Sequence, residues 1–115
     1  MKIPIGALLY LEAQYENDDY FKKEFARYAD QVPEGVTLDD KVSAFQDASE
    51  DYGVKDLYVI RCGDRRYGRL LYRAVGKHAH YHEIHEDFSA EDGDLVEFSP
   101  VRVALTFTYV FEEDS

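Results

Sequence analysis

The sequence has few cysteines and prolines and no tryptophan. Its 115 residues include one cysteine, Cys62, and three prolines. A single cysteine cannot form an internal disulfide, which excludes the disulfide-stapled scaffolds of small secreted domains. Because no histidine lies beside it in sequence, we expect Cys62 to be a buried, inert thiol on a strand.

Long hydrophobic runs are also missing. The longest wholly apolar stretch, 7–11, is far too short to cross a bilayer. Only one lysine precedes it and Glu12 follows it, without a cleavage-like site, so the pattern does not predict a signal peptide. We therefore expect a cytoplasmic protein without a membrane partner.

Catalytic signatures are missing as well. The chain has no glycine-rich phosphate loop, no G-x-S-x-G and no C-x-x-C motif. Adjacent acids such as Asp18-Asp19 and Glu50-Asp51 fall where we predict helix termini, and solvation explains them better than acid–base catalysis. The sequence thus favours a binding protein over an enzyme and implies no cofactor.

The charge that is present is strongly segregated. Of a net −11, residues 55–77 contribute seven Lys/Arg against two Asp/Glu. The residues before them hold five against twelve, and those after them hold one against ten. An acidic surface repels nucleic acid and attracts basic proteins, so we expect a basic protein partner and no direct contact with nucleic acid.

The apolar pattern predicts one α+β domain over residues 1–115. With 45% hydrophobic and 15% aromatic residues, the chain can bury a real core. Apolar residues on both faces of 2–15 predict an interior strand. A cap at 17–19 starts a helix that ends at Pro33-Glu34-Gly35, and Thr37 caps a second helix that runs to Gly53.

The rest of the chain has the pattern of strands. We predict strands at 57–62, 67–75 and 78–85, joined by short turns, then an acidic loop at 86–93. A short strand at 94–98 and a regular alternation over 101–111 complete the sheet. The predicted order is β-α-α-β-β-β-(β)-β, a mostly antiparallel sheet of five to six strands with two helices on one face.

Three histidines with strand spacing form one candidate site. His78, His80 and His82 would lie on the same face, and two residues of an H-x-H pair can converge on one metal ion. An exposed sheet face, titrating near neutral pH, explains the same spacing without a ligand.

A second candidate site is a pair of basic strands that carries a family resemblance. The segments 57–61 (LYVIR) and 67–73 (YGRLLYR) resemble the RelE/HigB-like toxins, ribonucleases that cut messenger RNA on the ribosome. The resemblance implies catalysis by Arg61, Arg69, Arg73 and His82. Those toxins are basic, as binding to a phosphate backbone requires, whereas this chain is acidic. Pairing of the arginines with the chain's own carboxylates is the structural alternative.

The preferred hypothesis is a small acidic inhibitor that occupies the basic, nucleic-acid-handling surface of another protein, as immunity and anti-defence proteins of phage systems do. Carboxylate arrays imitate the spaced charges of a phosphate backbone and speed encounter. The predicted contact groups are Asp18, Asp19, Asp39, Asp40, Asp47, Glu50, Asp51, Glu86, Asp87, Glu91, Asp92 and Asp94.

Overall fold

A computed structural model describes residues 1–46, 53–74, 93–103 and 109–112 of the chain. The described elements, in chain order, are β1 (Lys2–Pro4), α1 (Ile5–Tyr15), α2 (Asp19–Glu24), a 3₁₀ helix (Ala26–Gln31), β2 (Val36–Gln46), β3 (Gly53–Cys62), β4 (Arg65–Ala74), β5 (Leu95–Glu97), β6 (Ser99–Val103) and β7 (Tyr109–Phe111).

The strands form two antiparallel sheets. The larger has the order β2-β3-β4-β6-β7, and the smaller pairs β1 with β5. The N-terminal helices pack on the larger sheet, so the predicted α+β class, with helices beside a mostly antiparallel sheet, is confirmed. Two of the elements assigned from the sequence are nevertheless divided, the predicted first helix into α2 and the 3₁₀ helix, and the predicted strand 101–111 into β6 and β7. Two others are of the wrong type.

The first of these is the predicted strand 2–15, which is a strand only as far as Pro4. From Ile5 the chain is helical, and α1 buries eight of its residues, including Leu8, Leu9 and Leu11. A helix that is apolar on nearly every side is buried in the core rather than laid on its surface. It ends in a Schellman motif, because Asn17 has φ 56° and the amide of the next residue donates to the Ala13 carbonyl at 2.8 Å.

The second predicted helix, from Thr37 to Gly53, is wrong, because β2 occupies 36–46. Its register against β3 slips between Leu38 and Asp40 and again between Ser43 and Phe45. Each slip is a bulge that inserts one extra residue. The positions facing the helices therefore fall at 36, 38, 41 and 43, and this broken alternation resembles helical spacing.

The turn predictions are confirmed where the structure describes them. Asp18 caps α2 by accepting the Phe21 amide at 3.2 Å. Gly35, with φ 78°, completes a turn closed by the Val36 amide and the Pro33 carbonyl at 3.1 Å.

The hairpin β3–β4 also follows the prediction, with Gly63-Asp64 as its turn. Cys62 ends β3 on a strand, as expected, but is half-buried rather than buried. The predicted single strand 101–111 is wrong, because β6 and β7 pair antiparallel, with Val103 opposite Tyr109, and the chain reverses between them.

Each side of the large sheet has its own apolar cluster. The helix-covered side packs Tyr58, Ile60 and Leu71 against α1. The opposite side, here called the far side, holds a smaller cluster of Leu57, Val59 and Val101 beneath Tyr109. The predicted strand 78–85 lies outside the described residues, as does the predicted loop 86–93 except for its last residue. None of the described helices is long and apolar enough to cross a bilayer.

Candidate functional site

The first bulge of β2 brings three charged residues together, Asp39, Asp40 and Lys41, which we call the charged hub. Asp40 pairs with Val59 on the far side, Lys41 pairs with Tyr58 on the helix-covered side, and Asp39 is the inserted residue. Consecutive side chains thus point to both sides of the sheet at one edge strand.

On the helix-covered side, Lys41 is held by the carboxylates of Glu12 in α1 and of Glu16, the C-cap residue of that helix. Its ammonium lies 3.3 Å from Glu12 and 3.2 Å from Glu16, and the Tyr58 hydroxyl donates to Glu12 at 2.7 Å. The Lys41 side chain is only 10% exposed and that of Glu12 only 1%. Burial of these charges is tolerable because each has an opposite charge or a hydrogen bond close by.

On the far side, the Asp40 carboxylate accepts from three donors. They are the Lys41 amide at 2.8 Å, the Tyr109 hydroxyl at 2.9 Å and, more distantly, the Tyr15 hydroxyl at 3.5 Å. Burial, reinforced by this carboxylate, raises the pKa of Tyr109 to about 12 and also raises the pKa of Tyr15.

The third hub residue, Asp39, binds Arg66 of β4. The Arg66 Nε lies 2.8 Å from the carboxylate, and this hydrogen bond raises the pKa of the guanidinium. The hub thereby connects α1, β2, β3, β4 and β7.

The Tyr109–Asp40 contact shows how strongly the sheet curls. The strands β2 and β7 are its two edges, separated by three others. In a flat sheet they would be roughly 19 Å apart, about three times the reach of a tyrosine. A 2.9 Å hydrogen bond between them therefore requires the far side to be concave.

The side chains of the hub bind groups on other elements of the same chain: Lys41 binds Glu12, Asp40 binds Tyr109 and Asp39 binds Arg66. A polar network of this kind specifies and closes a fold, and a catalytic centre would leave a nucleophile or a base facing a substrate. We assign the hub to closure of the sheet. Lys41 and the surrounding groups Glu12, Tyr58 and Tyr109 were not predicted, since their contacts join positions 29, 46 and 69 residues apart and leave no local sequence pattern.

The acids predicted for partner binding have different environments. Asp18 caps α2, and Asp39 and Asp40 belong to the hub, so these three carboxylates have internal contacts. Asp19 is 90% exposed beside Lys22, and Asp94 is exposed before β5. The other predicted contact acids lie outside the described residues: Asp47, Glu50, Asp51, Glu86, Asp87, Glu91 and Asp92.

The excess negative charge is concentrated in those other parts of the chain. Residues 47–52, 75–92 and 113–115 hold ten Asp/Glu against one Lys, which leaves the described residues with a net charge of −2 out of −11. Gln46 pairs with Val54, and Gly53 pairs with Ala74. The residues that flank 47–52 and precede 75 thus lie at one end of the sheet, which we call the acidic end.

Arginines are concentrated at the opposite end of the same strands. Arg61 pairs with Arg66, and Arg65 follows the hairpin turn, so we call this the arginine end. The ten residues of β3 separate the two ends by roughly 30 Å.

The arginines of the toxin resemblance do not share one face. Arg61 pairs with Arg66 on the far side, whereas Arg69 pairs with Tyr58 on the helix-covered side. Arg69 donates to the Glu97 carbonyl at 3.4 Å. Arg73 belongs to β4, and His82 lies outside the described residues.

The predicted histidine site, formed by His78, His80 and His82, lies outside the described residues. Within the described ranges, no group of three or more His, Cys, Asp or Glu side chains is placed to hold a metal ion.

Comparison of the chain with protein-family models, with curated proteins and with solved structures finds no match.

Proposed function

We propose that this protein is an acidic, cytoplasmic binding protein that inhibits a partner by occupying its basic, nucleic-acid-handling surface. The observation that carries the proposal is the division of charge. The described residues are nearly neutral, and nine of the eleven net negative charges lie in three short segments.

The placement of those segments supports a directional contact. Two of them, 47–52 and 75–92, connect to β2, β3 and β4 at the acidic end. A molecule with opposite charges at two ends is oriented by a basic partner before contact, which raises the association rate. An acidic composition that only kept the protein soluble would not require the negative charge to be concentrated in a few segments.

The ribonuclease alternative has less support. It requires Arg61, Arg69 and Arg73 to act on one phosphate, and Arg61 lies on the opposite side of the sheet from Arg69. The three arginines cannot converge on one sheet face without a change of register.

The test begins with affinity purification from the host at low and moderate salt. We expect a basic, nucleic-acid-binding protein that elutes as ionic strength rises, because screening weakens surface charge contacts. The purified partner is then mixed with a fluorescent oligonucleotide, and the acidic protein should displace it. A partner that binds without releasing the oligonucleotide would contradict the proposed inhibition.

A matched pair of triple variants locates the contact. Asp47→Asn/Glu50→Gln/Asp51→Asn removes three charges at the acidic end, and Glu24→Gln/Asp30→Asn/Glu34→Gln removes three exposed charges from the helical region at acids that are not among the predicted contact groups. We expect the first to slow association about tenfold at low salt and the second to change it little. Equal slowing by both would mean attraction by net charge alone and would refute a directed contact.

A further inference from the structure

The arginine end contains a cleft that the proposed function does not use. It has a volume of about 430 Å³ and lies where β4, β6 and the residue after β7 meet. Sites for small ligands are typically concavities of roughly 300–1,000 Å³ with a few directed polar groups, so this cleft is large enough for one.

Two arginines of neighbouring strands contribute to its lining. The register of β4 against β6 ends at Arg66 and Val101, and Arg65 and Arg102 are the next residues along the two strands. Like charges on neighbouring strands repel each other when they are this near in register. Both side chains are exposed and line the cleft.

These two arginines differ from their neighbour Arg66. Arg66 is bound to Asp39 at 2.8 Å, as expected where a protein's own carboxylates neutralise its bases. Within the described residues, neither Arg65 nor Arg102 forms an ion pair, although the sequence has 24 acids against 13 Lys and Arg. Two guanidinium groups on neighbouring strands, neither held in an ion pair by another described residue, are suited to binding an oxyanion.

The remaining lining restricts the kind of anion. Asp64 and Glu112 also line the cleft, so its five charged residues sum to only +1, and the charge of Arg66 is already paired with Asp39. A nucleic-acid strand would bring further phosphates against the two carboxylates, whereas one compact anion could be bound between the guanidinium groups of Arg65 and Arg102. Tyr67 and Pro100, which pair across β4 and β6 and both line the cleft, offer apolar surface to the uncharged part of a ligand.

We propose that this cleft binds a small phosphate monoester that carries a ring, with Arg65 and Arg102 sharing the phosphate and Tyr67 contacting the ring. A phosphate monoester carries nearly two charges and three acceptor oxygens, enough for two arginine forks. The site lies at the other end of the sheet from the proposed partner contact and is independent of it.

The proposal is tested by calorimetric titration with adenosine 5′-monophosphate as the probe, and with adenosine and inorganic phosphate as comparisons. The nucleotide should bind at least tenfold more tightly than adenosine, because adenosine lacks the group that the arginines recognise. Failure of the nucleotide to bind up to about 10 mM, or equal binding of adenosine, would overturn the proposal.

Variants of single arginines provide the specificity control. Arg65→Gln and Arg102→Gln should each weaken nucleotide binding at least tenfold, since each removes charge-assisted hydrogen bonds to the phosphate. Arg61→Gln removes the same charge at the same end of the sheet but on the far side, and it should change binding less than twofold. Equal losses in all three variants would mean diffuse attraction and would overturn the site.

Lysine variants and a longer ligand provide two further tests of the site. Arg65→Lys and Arg102→Lys keep the charge and lose the planar fork, so each should still weaken binding even if a glutamine variant is poorly folded. A 5′-phosphorylated trinucleotide should bind no more tightly than the mononucleotide. Binding more than tenfold tighter would assign the cleft to a strand and reject the small ligand.

Discussion

The two sides of the large sheet are stabilised in different ways. Among the described residues of the helix-covered side, fourteen that are buried form one cluster around α1, and area removed from water is the main stabilising term. On the far side, the described cluster has three buried residues beneath Tyr109, and a few directed bonds from the hub hold the curl. The comparison indicates that the far side can be opened by small changes that leave the helical core intact.

The largest effect is expected from the buried charge on the helix-covered side. Lys41→Met leaves Glu12 buried without its cation and should lower the free energy of unfolding by about 3–5 kcal/mol. Glu12→Gln/Lys41→Met removes both charges and keeps an acceptor for Tyr58, so it should recover most of the loss. Urea unfolding at neutral pH measures both. A double variant as unstable as the single one would show that the packing of Lys41 matters, and not its charge.

An intermediate effect is expected from steric crowding on the far side. A Cβ added to Gly68 would lie 2.8 Å from Val101 Cγ1 and 3.3 Å from Leu57 Cδ1. Gly68→Ala should therefore cost about 1–3 kcal/mol, as overpacking does. Gly93→Ala is the control, because a Cβ there has no neighbour within 4 Å among the described residues. Thermal unfolding of the two variants distinguishes steric crowding from the loss of a glycine. Equal decreases of the melting temperature in both variants would contradict the prediction.

The smallest effect at neutral pH is expected from Tyr109→Phe, which removes one hydrogen bond to Asp40 and should cost about 1 kcal/mol. Its pH dependence is more informative. The pKa of Tyr109 is raised to about 12 from 10.0, so the stability due to its protonated hydroxyl is complete below pH 10 and is lost as pH rises through 12. Wild type should lose more stability than Tyr109→Phe across that interval.

The control for this titration is Tyr20→Phe, at a ring that is 70% exposed. It removes one tyrosine without touching the hub, so its loss of stability between pH 10 and 12 should match that of the wild type. Parallel curves for wild type and Tyr109→Phe would mean that the far side does not depend on this bond.

Features encoded by a few adjacent residues could be predicted from the sequence. The turns at Pro33–Gly35 and Gly63-Asp64 depend on glycines with φ of 78° and 63°, and glycine adopts such angles at little cost. The Asp18 cap and the β3–β4 hairpin are also encoded by a few adjacent residues. Together they sufficed for the α+β class.

Two elements could not be assigned, for reasons visible in the structure. A segment that is apolar on every side, such as 5–13, has no period that distinguishes a buried helix from an interior strand. In β2, the two bulges replaced alternation with an irregular spacing that resembles a helix. The hub could not be predicted from the sequence for another reason, since its contacts form only after distant strands have paired.

The order in which the chain is synthesised limits when its long-range contacts can form. Both the Met1–Phe98 contact and the Asp40–Tyr109 bond wait for residues near the end of this sequence, 97 and 69 positions later. At about 5–20 residues per second, β2 is exposed for roughly 3–14 s before its closing tyrosine is made. We expect the charges of the hub to discourage this edge strand from pairing with a neighbouring nascent chain during that interval, because charged side chains on an edge strand oppose such pairing.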